Sequence, residues 1–324
     1  MVKQLFVYTL FSLSALHAQQ EQSSDLRSLI EEAVKNNPQL QANRHDVEAA
    51  KLRVREVQAW EAPQIGVEFY QTPIQSFPIP TKNGMETDYF IQQTVPWPGK
   101  LSAMGKAQSS NAAMMTESYK ALEQKIVRDL KTGYYELYVI QRKIEINTDN
   151  QSLMKQFVEI ATRQYGVGMG RQSDVIRAQT EFSRLINDGV NLQKDKKVTE
   201  AMINVLLNRP IDQAFPRIVD LDIPEPVWNY EELAPLAHMN RAELKAMQFN
   251  VDIFRSELMV SKKEYYPDFM LKGQYKNMAN TSKDFWSIMV GVSIPIAPWS
   301  KAKYSANVSQ MNSISCIWNT ISRV

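Results

Sequence analysis

From residue 99 to residue 209 the chain runs for 111 residues without a proline, bracketed by Pro98 and Pro210. Within that stretch the glycines bunch at Gly166, Gly168 and Gly170, with Gly105, Gly133 and Gly189 scattered elsewhere. Proline is the strongest helix breaker and clustered glycine the next. The pattern predicts two helices, over 101–165 and 172–208, joined by a tight Gly-Val-Gly-Met-Gly turn. At about 1.5 Å per residue the first would be roughly 95–100 Å long. Ordinary globular domains hold no such rod, so the chain builds something tall and hollow or long and thin.

Along the first helix Met115, Tyr119, Leu122, Ile126, Leu130, Leu137, Ile140 and Ile144 recur at spacings of three, four or seven. That is close to a heptad seam. Leu153, Phe157 and Ile160 are expected to carry it to the turn, and Phe182, Leu185, Leu192 and Leu206 to continue it on the way back. A short turn makes the two helices an antiparallel coiled coil.

Ahead of this hairpin, 25–36 has helical apolar spacing, and Pro38 opens a second helix running to about Trp60. Residues 64–71 and 88–95 alternate apolar and polar, which predicts two strands with unlike faces. Pro96, Trp97, Pro98, Gly99 and Lys100 then launch the long helix. After residue 228 the same order returns. A shift of 204 aligns Leu29 with Leu233, Ala33 with Ala237, Leu40 with Leu244, Val47 with Val251 and Pro63 with Pro267. Strands are predicted at 269–275 and 285–294, the latter with Trp286, Ile288, Val290, Val292 and Ile294 in one apolar row and Ser287 and Ser293 on the other. Pro295, Pro298 and Trp299 stand where the first proline-rich junction stood. A long-period duplication means two equivalent units in one architecture.

Residues 1–18 read as a secretory signal, with Lys3, an apolar core and a Leu16-His17-Ala18 cleavage site. The expected organisation is signal 1–18, first repeat 19–209, linker 210–228 and second repeat 229–324. After Pro98 the first unit runs on to Arg209, whereas only 26 residues follow Pro298. The second helical hairpin is therefore expected to be incomplete by about 85 residues, the chain to be a fragment or truncated product that does not work as a duct, and a full-length form to end near residue 410.

Strands of 8–10 residues match the length that crosses an outer membrane when tilted. Four strands cannot close a barrel, and an unpaired edge in lipid is forbidden. Several copies must pool their strands. Net charge is +2, which implies no polyanionic partner. Cys316 is the single cysteine, so no disulfide framework exists. His45 and His238 are isolated, and neither a phosphate-binding loop nor a nucleophile elbow nor metal-ligand spacing occurs. The expectation is no enzyme, no cofactor and no metal site.

These features together resemble the TolC-like outer-membrane efflux proteins. The residues that carry the resemblance are Asn37-Pro38-Gln39-Leu40, Thr94 through Lys100, and Gln164-Tyr165-Gly166-Val167-Gly168 followed by Asp174-Val175. It implies an α+β membrane protein, in which long coiled-coil hairpins form a periplasmic tunnel and β-hairpins form part of a trimeric 12-stranded outer-membrane barrel. It also implies a homotrimer, a periplasmic adaptor and an inner-membrane pump of the resistance-nodulation-division type as partners. The Pro-Trp-Pro-Gly-Lys form is most similar to the heavy-metal cation branch. Tyr165, Gly166, Gly168, Gly170, Arg171, Gln172 and Asp174 would form an adaptor-binding tip, with Asp174 also a candidate helix cap. A soluble periplasmic adaptor and a non-transporting structural barrel are the alternatives.

Overall fold

The computed structural model describes residues 25–76, 78, 86–219, 229–278, 283–295 and 297–321. The signal segment lies outside them, as does 220–228 of the expected linker. Eleven elements follow in order: α1 (Leu26–Asn36), α2 (Pro38–Gln58), β1 (Gln64–Tyr70), β2 (Glu86–Val95), α3 (Lys100–Gly166), α4 (Gln172–Leu207), α5 (Tyr230–Asn240), α6 (Ala242–Lys263), β3 (Asp268–Met278), β4 (Phe285–Ser293) and α7 (Ala297–Ile321). A short 3-10 turn spans Ile74–Ser76. The chain divides into two compact units.

One unit is helical and takes in α1, α3 from Leu122 onward, α4 and the segment after it. The unbroken 67 residues of α3 span about 100 Å. On α3 a run of covered positions is Ile126, Leu130, Gly133, Leu137, Ile140, Ile144, Asn147, Gln151, Met154, Val158 and Ala161, alternating steps of four and three, with Tyr134 and Gln141 buried beside it. On α4 the run is Val175, Ala178, Phe182, Leu185, Gly189, Leu192, Lys196, Thr199, Ile203 and Leu206, with the same alternation and with Asn204 and Leu207 buried beside it. Such a strict 3.5-residue period is the coiled-coil seam. Leu153, Phe157 and Ile160 are not part of it; each is about half exposed. The seam passes one residue later, because two of its positions are the amides Asn147 and Gln151. A reading that follows apolar side chains slips past them.

Those amides form a polar layer. Asn147 Nδ2 donates to the Leu185 carbonyl (3.2 Å), and Gln151 Nε2 donates to the same carbonyl (3.1 Å) and to Asn147 Oδ1 (2.6 Å). Gly189 leaves the room: a Cβ there would lie 2.9 Å from both amides. Polar seam residues fix register at some cost in stability.

The corner before α2 is tied to the end of α4. Asn37 caps α2 through its Oδ1, which accepts from Gln39 N (3.0 Å) and Leu40 N (3.3 Å), while its Nδ2 donates to the Leu206 carbonyl (3.1 Å). Arg209 forks onto Glu32, with Nε at 2.7 Å. Asn208 is left-handed (φ 57°) and closes α4: Arg209 N donates to Asn204 O and Asn208 N to Val205 O. Over 210–219 the expected linker packs against α3. Phe215 and Ile218 are buried. Gln141 holds the strap by both ends of its amide, donating to Pro216 O and accepting from Ile218 N. Glu145 bridges Arg142 (2.6 Å) and Arg217 (2.9 Å), and the Arg142 hydrogen bond holds its carboxyl below the ordinary value. That ionic tie is complete above the ordinary carboxylate pKa and is lost as pH falls through the depressed one.

The other unit carries the sheet, in order β1-β2-β3-β4 and antiparallel throughout. β2 and β3 pair from Glu86 opposite Met278 to Val95 opposite Phe269. Strand alternation then sorts the side chains. Ile65, Val67, Phe69, Tyr89, Ile91, Phe269, Leu271, Tyr275, Trp286, Ile288, Val290 and Val292 share one face, all exposed, Ile65 to 79% and Trp286 to 78%. The opposite face carries Glu68, Glu86, Asp88, Lys272, Gln274 and Lys276. There Lys276 pairs with Glu86 (2.8 Å) and Asp88 (3.4 Å), Gln274 donates to Asp88, and Lys272 lies 4.3 Å from the Phe90 ring centre. Packing of α6 against α7 includes a bond from Asn307 Nδ2 to Ser261 Oγ at 2.7 Å.

Filling the space kept by Gly189 separates the amide pair from the Leu185 carbonyl. Gly189→Leu is expected to cost about 1–3 kcal/mol through overpacking, read as a lower urea midpoint in far-UV circular dichroism at unchanged slope.

Candidate functional site

Two places gather the residues singled out from sequence: the junction between sheet and helix, and the turn that closes the long hairpin. At the junction β2 ends at Val95 and α3 begins at Lys100, leaving Pro96, Trp97, Pro98 and Gly99 to make the corner. Gly99 has φ +85°, a backbone angle that side-chain-bearing residues avoid. Lys100 N donates to Trp97 O (3.0 Å) and Ala103 N to Gly99 O (3.0 Å), so the corner feeds straight into the helix.

What holds the corner comes from the second repeat. Asp268, the first residue of β3, accepts from Trp97 N (3.0 Å) at one oxygen and from Lys100 Nζ (2.6 Å) at the other. The Trp97 ring stacks on Tyr266 (5.2 Å, 14°) and Phe269 (5.8 Å, 22°). Lys263 lies 5.4 Å from the Tyr266 ring centre. Offset stacking and a charge over a ring each add a modest, directional attraction. Sequence reading found Trp97 and Lys100 but missed Asp268, Tyr266 and Phe269. Their only signal was position, since Asp268 follows Pro267 as Gln64 follows Pro63. At the second corner Pro295 is half-buried after β4, and Pro298 and Trp299 lie in the first turn of α7.

The hairpin turn ends α3 in a Schellman arrangement. Met169 N donates to Gln164 O (2.9 Å) and Gly168 N to Tyr165 O (3.0 Å), with Gly168 left-handed at φ +75°. Gly166 is the last helical residue, and a Cβ on it would meet nothing within 4 Å. Gly170 does need its missing Cβ, which would lie 3.1 Å from Tyr165 N and Gln164 Cβ. Tyr165, Val167 and Met169 are exposed, Met169 to 85%. Arg171, extended at φ −97° and ψ 143°, occupies the cap position of α4 without a side-chain cap bond, and Gln172 opens the helix.

Asp174 is therefore not the cap. It sits in the first turn of α4, with its N–H on the Arg171 carbonyl at 3.1 Å. A carboxylate there favours the positive end of the helix dipole, so an acidic residue near the start is an easy mistake for a cap. The turn thus presents Tyr165, Arg171, Gln172 and Asp174 around a backbone made compact by Gly168 and Gly170.

Removing the carboxylate at the junction leaves the Lys100 ammonium and the Trp97 N–H without their shared acceptor. Asp268→Ala is expected to destabilise the folded protein by about 1.5–3 kcal/mol, and Asp268→Asn by less. Thermal unfolding followed by Trp fluorescence checks both.

The family of outer membrane efflux proteins matches residues 29–209, more than half of the chain. The outer membrane protein TolC of Vibrio cholerae is 20% identical over 272 residues, covering 81% of this chain and 60% of that protein. An uncharacterized protein of Haemophilus influenzae is 20% identical over 230 residues, covering 66% of this chain and 48% of its own length. The chain thus spans about half to three fifths of these two relatives. Among solved structures, CusC superposes with a TM-score of 0.75 at 14% identity, covering 93% of this chain and 73% of CusC. VceC of Vibrio cholerae does so with 0.73 at 16% identity, covering 94% and 77%. At these identities the likeness establishes the α+β fold of outer-membrane channels. A sheet with one apolar face, a proline-cornered entry into a very long helix, and a family match across the first repeat converge: the chain belongs to the outer membrane efflux protein family, whose TolC-like members are outer-membrane channels rather than enzymes.

Proposed function

We propose that this chain is one subunit of a passive exit duct in a tripartite efflux system. The observation that carries the reading is the sheet: among the described residues it has four strands, one continuous exposed apolar face, one charged face, and unpaired outer edges on β1 and β4. Hydrocarbon solvates neither backbone edge, so closure by further strands is required. Three copies supply twelve strands. Two would supply eight, a barrel whose interior side chains fill.

The helical hairpin supports the same assembly. Flanking its seam, one residue earlier along the chain, α3 bears a second apolar stripe at Val139, Ile146, Leu153 and Ile160, spaced by seven and exposed. A sustained seven-residue period is a packing surface for another helix. In the proposed duct these stripes join neighbouring hairpins into a periplasmic tunnel, while the apolar face of the sheet meets outer-membrane lipid. Energy would come from an inner-membrane pump of the resistance-nodulation-division type, linked by a periplasmic adaptor that grips the turn around Tyr165, Gly166, Gly168, Gly170, Arg171, Gln172 and Asp174. Heavy-metal cations are the proposed cargo class, on the Pro96-Trp97-Pro98-Gly99-Lys100 corner. The repeats are proposed to span 19–209 and 229–324, a reading supported by the recurrence of two helices followed by two strands.

Val290 lies in the middle of β4 on the apolar face and Ser287 on the opposite one. Val290→Arg is expected to cost about 2–4 kcal/mol near mid-bilayer, and Ser287→Arg clearly less, measured by urea titration of protein folded into vesicles. Equal costs would contradict the lipid-facing assignment. At the turn, Gly168→Pro removes the bond to Tyr165 O and demands the wrong sign of φ. Outer-membrane insertion is expected to persist while photo-crosslinking from Gln172 to an adaptor is lost. Retained crosslinking would remove the turn from the docking surface.

A further inference from the structure

The two β-hairpins are copies of one design, and their pairing contains a template for the contact between subunits. The 204-residue offset places Gln64 on Asp268, each directly after its proline. Gln64 faces Gln92 in the first hairpin and Asp268 faces Ser293 in the second, so Gln92 and Ser293 hold equivalent places. The same offset that relates these two also brings Lys100 onto Lys301. Within the chain the hairpins meet along β2 and β3, where Gln92 faces Lys272, Ile91 faces Gly273 and Phe90 faces Gln274. On β1 the equivalents of Lys272, Gly273 and Gln274 are Glu68, Phe69 and Tyr70.

We infer that a second copy of this chain lays its β1 antiparallel along β4 in one defined register: Ser293 opposite Glu68, Val292 opposite Phe69, Gly291 opposite Tyr70 and Ile294 opposite Val67. The inference rests on the proposed assembly and adds its residue-level geometry. Two independent features agree with it. Side-chain parity is kept: Val67, Phe69, Val292 and Ile294 all extend the apolar face, whereas a one-residue slip would turn Glu68 onto it. The register also sets the Tyr70 ring opposite Gly291. That repeats the pairing of Phe90 with Gly66, where the ring lies so close that a Cβ would come within 2.4 Å of it. An aromatic laid across a strand glycine adds packing there, beside the Met270 side chain, whose Cε would lie 2.9 Å from a Cβ on Gly291.

A slip of two residues keeps parity and is the competitor, with Val292 opposite Val67. Directly opposed residues have Cα atoms about 4.5–5.5 Å apart. Moving two residues along a strand adds about 6.6–6.8 Å, which takes the pair beyond disulfide reach. In the full chain, with Cys316→Ser as background, Val292→Cys is combined with Phe69→Cys or with Val67→Cys. Outer membranes are oxidised and run on non-reducing gels, alongside the background protein treated with a lysine crosslinker. β1 and β4 are opposite edges of one sheet, so any disulfide joins two chains. The register predicts dimer and trimer bands at least tenfold stronger for the Phe69 pair. A stronger Val67 pair overturns the register and leaves the assembly standing. Lysine-linked oligomers with neither disulfide do the same. Monomer throughout overturns both.

Discussion

A backbone N–H or C=O without a partner cannot rest in hydrocarbon, and this single constraint organises the unit that carries the sheet. The strands present an apolar face of Ile65, Val67, Tyr89, Ile91, Leu271, Trp286 and Val290 to their surroundings, the reverse of what water would select. Their charged groups are gathered on the other face, where Lys276 sits between Glu86 and Asp88 and Asp88 is only 3% exposed. Such a sheet is stable beside lipid only as part of a closed ring. In the proposed duct its open edges therefore call for further copies of the chain.

The junction converts that sheet into a helix launch. Asp268 binds the Trp97 N–H and the Lys100 ammonium together, so the first repeat's corner is fixed by the second repeat's strand. At the position equivalent to Asp268 the first repeat has Gln64, which carries no charge to hold a lysine. In the helical unit the same economy holds: apolar seam residues supply most of the burial, and the Asn147–Gln151 layer with Gly189 supplies the register.

Much of this was legible in the residues themselves. Proline and glycine placement delimits α3 and α4 to within a residue, because few side chains contradict so long a helical run. The 204-residue duplication identifies both hairpins before any strand is seen. The parts that were hidden share one cause: they depend on partners distant in sequence or on polar residues in apolar roles. Nothing near Gln141 announces that it clamps Ile218, 77 residues away. Asn37 stands just before the proline that opens α2, and nothing there announces its tie to Leu206. The seam slipped from Met154, Val158 and Ala161 to Leu153, Phe157 and Ile160, because the seam carries the amides Asn147 and Gln151 while the neighbouring stripe stays apolar. Asp174 was weighed as a cap on residue type, whereas the cap position belongs to Arg171, whose extended backbone alone places it there.

The central claim is that several copies close one barrel, and that the number is three. Native mass spectrometry of the protein extracted from outer membranes in mild detergent measures it directly. The account predicts a single dominant species of three chains, each close to the 37.2 kDa of the full sequence less any removed leader. A folded species of one chain, resistant to dissociation and carrying the full β-sheet signal, would contradict it.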